Sequence, residues 1–178
     1  MQELIHTAIE LVKLLDKTAD ATLPKEIVEV VKLHSKLAVG SAWIPVPGAD
    51  VAAGAANIWS MYARINNKIG IPVKENVLKS IGAGVATNLT SYIAMSGVAS
   101  AMKFIPGIGT LGGAMLMSAS LYAVTLVSGW VYLKALCIMA KRGGGVINTN
   151  DFKAAINQVL SDKGLIKKLI NTAKKEYK

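Results

Sequence analysis

The sequence predicts an all-α protein, a helical bundle built around a central hydrophobic helical hairpin. Three observations predict it. Apolar residues recur at helical spacing at both ends of the chain, two long charge-free runs occupy the middle, and proline–glycine clusters fall where helices must stop. With 178 residues, 52% of them hydrophobic and 17% charged, the chain has one domain's worth of core but little polar material. A soluble domain of ordinary composition carries about 25% charged residues. The mean hydropathy of +0.42 points the same way.

Three segments follow from the patterning: amphipathic helices over 1–40, a hydrophobic helical domain punctuated by Pro and Gly over 41–142, and basic helices over 143–178. In the first, Leu4, Ile5, Ala8, Leu11, Val12 and Leu15 form an apolar stripe between Glu3, Glu10, Lys13 and Lys17. A turn near Ala21 precedes Pro24, which suits the first turn of a second helix because its missing N–H has no partner there anyway. Ile27, Val28, Val31, Leu33 and Leu37 carry that helix to about Val39.

The central segment opens on Ile44-Pro45-Val46-Pro47-Gly48-Ala49-Asp50. Two prolines one residue apart hold the backbone extended. Asp50 then suits a helix N-terminus, where a carboxylate faces the positive end of the helix dipole. This helix runs to Asn66-Asn67 with Gly70 as its stop, and Pro72 introduces the next one near Val73-Lys74-Glu75. Residues 80–102 and 104–133 contain no charged side chain. About 20 apolar residues suffice to cross a bilayer as a helix. Pro106, Gly107 and Gly109 lie between the runs and predict a reversal, giving a hairpin over 80–133. Gly109 and Gly113, and Gly97 with Ala101, are four apart, a spacing that lets helices approach closely. Thr87, Asn88, Thr90 and Ser91 in one run, and Ser118, Ser120 and Thr125 in the other, are expected to hydrogen-bond across the hairpin.

The tail changes character. Lys141-Arg142-Gly143-Gly144-Gly145 ends the apolar helix, and Asn148-Thr149-Asn150-Asp151 supplies cap residues for a helix carrying Phe152, Ala155, Ile156, Val159 and Leu160. Gly164 is expected to interrupt. Leu165, Ile166, Leu169 and Ile170 then oppose Lys167, Lys168, Lys174 and Lys175, giving a basic amphipathic helix suited to an anionic lipid surface, or simply to packing with a solvated basic face. The net charge of +9 is concentrated here: residues 141–178 hold nine bases against three acids. Lys74 and Lys79 before the hairpin, and Lys134, Lys141 and Arg142 after it, place both termini in the cytoplasm by the positive-inside bias.

Catalytic chemistry finds no support. Gly107-Ile108-Gly109-Thr110-Leu111-Gly112 matches the dinucleotide pattern in letters. However, Pro106 precedes it in place of a strand, and no acid follows before Asp151. No phosphate-binding loop of the G-x-x-x-x-G-K-[ST] type occurs. His6 and His34 are isolated, so no metal site is expected. The acids of the central segment, Asp50 and Glu75, stand far apart in sequence and read as helix-start residues. The single cysteine, Cys137, forbids an internal disulfide and reads as a buried, inert thiol. A basic leader with an apolar run is missing from Met1-Gln2-Glu3-Leu4-Ile5-His6, so no cleaved signal peptide is expected. The chain is therefore expected not to be an enzyme, to need no cofactor and to bind no nucleic acid. Membrane lipids are the expected partner, with a homo-oligomer as a further one.

The Pro/Gly turns at 44–50 and 104–110, together with Trp59-Ser60-Met61-Tyr62-Ala63-Arg64-Ile65, Ile69-Gly70 and the Pro72 helix start, resemble a bacterial family of unknown function. Its members are fused to, or encoded beside, small Era-like or Ras-like GTPases and are often predicted to be membrane proteins. The resemblance covers roughly 38–140. It implies a helical hairpin domain at the inner membrane and a small GTPase as partner in trans, since this chain has no GTPase domain of its own. Two other functions fit the same composition. Amphipathic helices can wrap a hydrophobic hairpin in a soluble state and release it at a membrane, a pattern similar to pore-forming colicin domains. Alternatively, a soluble adaptor can bury its apolar faces by oligomerising.

Overall fold

A computed structural model describes residues 25–41, 49–95, 111–143 and 147–176. They form α1 (Lys25–Ser41), α2 (Ala49–Ile69), α3 (Glu75–Met95), α4 (Leu111–Arg142), a short 3-10 turn (Thr149–Asp151), α5 (Phe152–Ser161) and α6 (Lys163–Glu176). The protein is an all-α bundle. Its axis is α4, 32 residues long, which packs most extensively on α1 and then on α5 and α6, with α2 and α3 completing the surround. One continuous apolar core runs from Ile27 on α1 to Ala173 on α6.

Local chemistry accounts for the helix ends. Gly70 closes α2 with φ +70°, a conformation that side chains with a Cβ resist. The N–H of Ile71 then reaches back to the carbonyl of Asn66 at 3.0 Å, satisfying one of the carbonyls a helix end leaves unpaired. Lys74 accepts the first bonds of α3, from the N–H groups of Val77 and Leu78. Asn148 caps the 3-10 turn by accepting from the Asn150 N–H at 3.1 Å. The break between α5 and α6 falls at Asp162, two residues before Gly164, which is taken up in the first turn of α6. Asp162 can start a helix because its Oδ1 accepts from the Leu165 N–H at 3.0 Å while its carbonyl accepts from Ile166.

Helix α3 is not apolar all round. Leu78, Ile81, Val85 and Leu89 face the core at helical spacing, while Thr87, Asn88 and Thr90 are exposed. This overturns the expected hydrogen bonding across the hairpin. Ser91 Oγ donates to the Thr87 carbonyl of its own helix, and Ser118 Oγ donates to the Val39 carbonyl of α1. Helix α3 packs chiefly on α2, with a smaller contact on α4. The turn expected around Pro106 and Gly107 lies outside the described residues.

Candidate functional site

The central helix α4 is the longest and most apolar element among the described residues. Over Ser118–Arg142 it is long and apolar enough to cross a membrane, and it is the one such helix among the described residues. Yet 78% of its most apolar 18-residue window is buried inside the bundle. Its neighbours sheathe it through close contacts. A Cβ at Gly129 would stand 2.6 Å from one methyl of Val31 and 2.9 Å from the other, so α1 crosses α4 where α4 has no side chain. Gly82 of α3 plays the same part toward α2: a Cβ there would meet the Trp59 backbone nitrogen at 3.2 Å.

A polar cluster fixes the register of the bundle. Tyr62 of α2 and Tyr132 of α4 stack with centroids 4.0 Å apart and rings 9° from parallel. Phe152 of α5 extends the stack, 5.4 Å from Tyr132. The Tyr62 hydroxyl donates to the Ser128 carbonyl at 3.2 Å, and the Tyr132 hydroxyl donates to Asn66 Oδ1 at 2.9 Å. Burial drives the Tyr62 phenol well above its usual range, so it is neutral at any physiological pH. Three helices are thus keyed together by aromatic contact, with every hydroxyl satisfied.

A second polar contact ties α1 to α2. His34 Nδ1 lies 2.8 Å from Asn57 Oδ1, and Asn57 Nδ2 donates to the His34 carbonyl at 2.7 Å. Burial lowers the His34 pKa, the Asn57 side-chain and backbone hydrogen bonds oppose that shift, and the charge of Arg64 adds to it. Its Nε2 is buried without a protein partner, which suits a neutral ring. Neither tyrosine cluster nor His34–Asn57 pair contains a nucleophile beside a base, and no group of three metal-ligating side chains occurs among the described residues.

The residues singled out by sequence scatter. Pro45, Pro47, Gly48, Gly97, Pro106, Gly107 and Gly109 lie outside the described residues. Asp50 is the second residue of α2, and Gly113 lies in the first turn of α4. Cys137 is half-buried on α4 rather than fully enclosed. On α6, Ile166, Leu169, Ile170 and Ala173 are buried in the core, and Lys167 and Lys168 are exposed on the opposite side. Lys174 and Lys175 belong to the last turn of the same helix. Sequence reasoning passed over Tyr62 with Asn66, and Ser128 with Tyr132. Their signal was present as polar groups four residues apart within apolar helices, the spacing that puts both on one face.

A long apolar helix largely enclosed by its neighbours makes this an all-α helical bundle. Comparison with known proteins adds a similarity to a bacterial membrane protein. The chain is 30% identical over 120 residues to a protein named magnetosome membrane protein 22 of Magnetospirillum gryphiswaldense, an alignment covering 67% of this chain and 60% of that protein. The chain thus spans less than two thirds of the relative's length. No family model and no solved structure matches.

Proposed function

We propose that the chain is a membrane-associated helical scaffold of the bacterial cytoplasmic membrane, which anchors, self-associates or recruits a partner there. The observation that carries the reading is the Ser118–Arg142 helix, apolar over a membrane's thickness. The similarity to a bacterial protein named for a membrane supports it. Lys141 and Arg142 in the last turn of that helix support a cytoplasmic C-terminal side, and both termini share that side only with a second crossing in addition to α4. A small GTPase is the proposed partner in trans, supported by the Pro/Gly turn pattern alone. Isolating the tagged chain from membranes with GTP or GDP present tests that partner: a nucleotide-dependent companion is expected, and an identical set of companions would remove the GTPase from the proposal.

The extensive burial of that helix favours a second reading, a soluble bundle that either opens at a membrane, as a pore-forming effector does, or assembles as an oligomeric adaptor. A carbonate wash of cell membranes separates the two. An integral scaffold stays in the pellet and needs detergent. A sheathed bundle appears in the supernatant and purifies in buffer.

A further inference from the structure

Helices α3 and α5 touch only lightly, and a groove of about 490 Å³ opens between them. Its floor is apolar: Ile81 and Val85 of α3 and Phe152, Ile156 and Leu160 of α5 are buried. Along α3 its edge is the row Asn76, Ser80, Gly84 and Asn88, spaced i, i+4 and exposed throughout. Lys153 and Asn157, exposed at the same spacing, line the α5 side. Among the described residues Asn88 and Asn157 make no side-chain hydrogen bond within the chain, and no acid lines the groove. Gly84 is the informative member of the row. A glycine inside a helix costs stability relative to alanine. Gly82 has a packing reason, since a Cβ there would meet the Trp59 backbone. Gly84 has none: nothing lies within 4 Å of where its Cβ would stand. What its missing side chain does is leave the groove open beside the apolar floor.

We propose that this groove binds an extended peptide segment of a partner protein, about five residues long, apolar at alternate positions and carrying one carboxylate. The spacing selects a peptide. Residues four apart on a helix recur about every 6.0 Å. An extended chain turns the N–H and C=O of every second residue to the same side, about every 6.6 Å. The polar row on α3 therefore keeps step with one edge of such a chain, and a carboxamide offers both a donor and an acceptor to it. Val77, Ile81 and Val85 recur at the same interval, so alternate side chains of the peptide fall on the apolar floor. From Asn76 to Asn88 the row covers about 18 Å, the span of about five extended residues. At Gly84 the peptide backbone can come against the helix. Lys153 supplies the charge that favours a carboxylate. An acyl chain would use the floor and have no use for the polar row. The inference rests on the recruiting role proposed above and on neither the membrane nor the GTPase, so the carbonate wash and the titration below fail independently.

The probe is a pool of N-acetylated pentapeptides, apolar at the first, third and fifth positions, mixed at the others, with a free C-terminal carboxylate. It is titrated into the full chain, in buffer or in nanodiscs, while the methyl resonances of Ile81, Val85 and Ile156 are followed. Saturable shifts of these methyls are expected, with those of Val31 and Val127 unmoved. N-methylation of alternate peptide amides is expected to weaken binding roughly tenfold or more, a readout that needs no variant of the protein. Gly84→Leu should weaken it by roughly as much. That variant should melt no lower than the parent, because leucine is the better helix former and its Cβ has room, so lost binding is not lost fold. Lys153→Gln should weaken binding of the carboxylate pool roughly threefold and leave a C-terminally amidated pool unchanged. The proposal is overturned by no shift at all, by binding indifferent to N-methylation, by binding unchanged in Gly84→Leu, or by equal affinity for the carboxylate and amide pools. Shifts produced by decanoate and not by the pool would assign the groove to an acyl chain and overturn it too.

Discussion

Gly129 shows how much rests on the absence of one methyl group. Its neighbour Val31 is fully buried, and the nearest Val31 methyl stands 2.6 Å from where a Cβ would go. Gly129→Ala therefore overpacks the α1–α4 crossing and is expected to cost about 1–3 kcal/mol. Denaturant titration should show a lowered midpoint. Val31→Ala in the same chain should return part of the loss, a coupling the two single changes cannot produce by adding. If Gly129→Ala unfolds at the parent midpoint, the crossing is looser than described. His34 gives a pH dependence whose sign follows from its surroundings. Burial lowers its pKa in the folded state, so the unfolded chain takes up a proton first as pH falls. Stability is thus complete above the unfolded value of about 6.5 and declines as pH falls from there through the lowered folded value. Thermal unfolding in steps from pH 7.5 to pH 5 should show the decline, and His34→Gln should flatten it. A slope unaffected by that change would mean that other groups set it.

At the scale of elements, the start of α6 depends on Asp162. Its carboxylate satisfies the Leu165 N–H, and losing such a cap costs about 0.5–2 kcal/mol. Asp162→Ala should raise amide exchange at Leu165 more than within α4. Equal exchange in the two chains would show that the backbone alone starts the helix. The outer side of α6 makes a separate prediction. With Ile166, Leu169 and Ile170 occupied in the core, what α6 offers a membrane is charge from Lys167 and Lys168. Each lysine near an anionic surface contributes about 1 kcal/mol, and salt screens the attraction within about 8–10 Å. The full chain should co-sediment with anionic vesicles less well at high salt, and Lys167→Glu with Lys168→Glu should weaken it further. Binding indifferent to both salt and the charge reversal would remove α6 from the lipid surface.

For the whole molecule the deciding question is what surrounds α4. Val124 is 4% exposed, enclosed by protein in the described state. An arginine there meets one of two penalties. In lipid it costs about 2.5–3.5 kcal/mol at a helix centre. In a dry core it is an unpaired charge and costs more. Val124→Arg should leave the carbonate pellet if α4 spans the bilayer, and a pellet fraction unchanged from the parent would count against spanning. In a sheathed bundle the same change should unfold the protein in buffer, visible as loss of cooperative melting.

Helical periodicity and turn chemistry were enough for much of this architecture to be legible in the sequence alone. The all-α class, the start of α2 near Asp50, the stop at Gly70 and the amphipathic nature of the last two helices are all local matters; the cap at Asn148 serves the 3-10 turn, and Asp151 makes no side-chain cap bond to α5. Spacing and backbone preference decide them within a few residues. The break at Asp162 was misread as Gly164 because both residues favour a break, and only the hydrogen bond to Leu165 chooses between them. The partners of each face lay beyond sequence reading. A charge-free run looks the same whether lipid or protein covers it, since both remove apolar surface from water. Only the tertiary structure sets α3 with its threonines outward and encloses α4. Stacking Tyr62 on Tyr132, and bringing Val31 against Gly129, joins residues from distant parts of the chain, and no local preference encodes such a meeting.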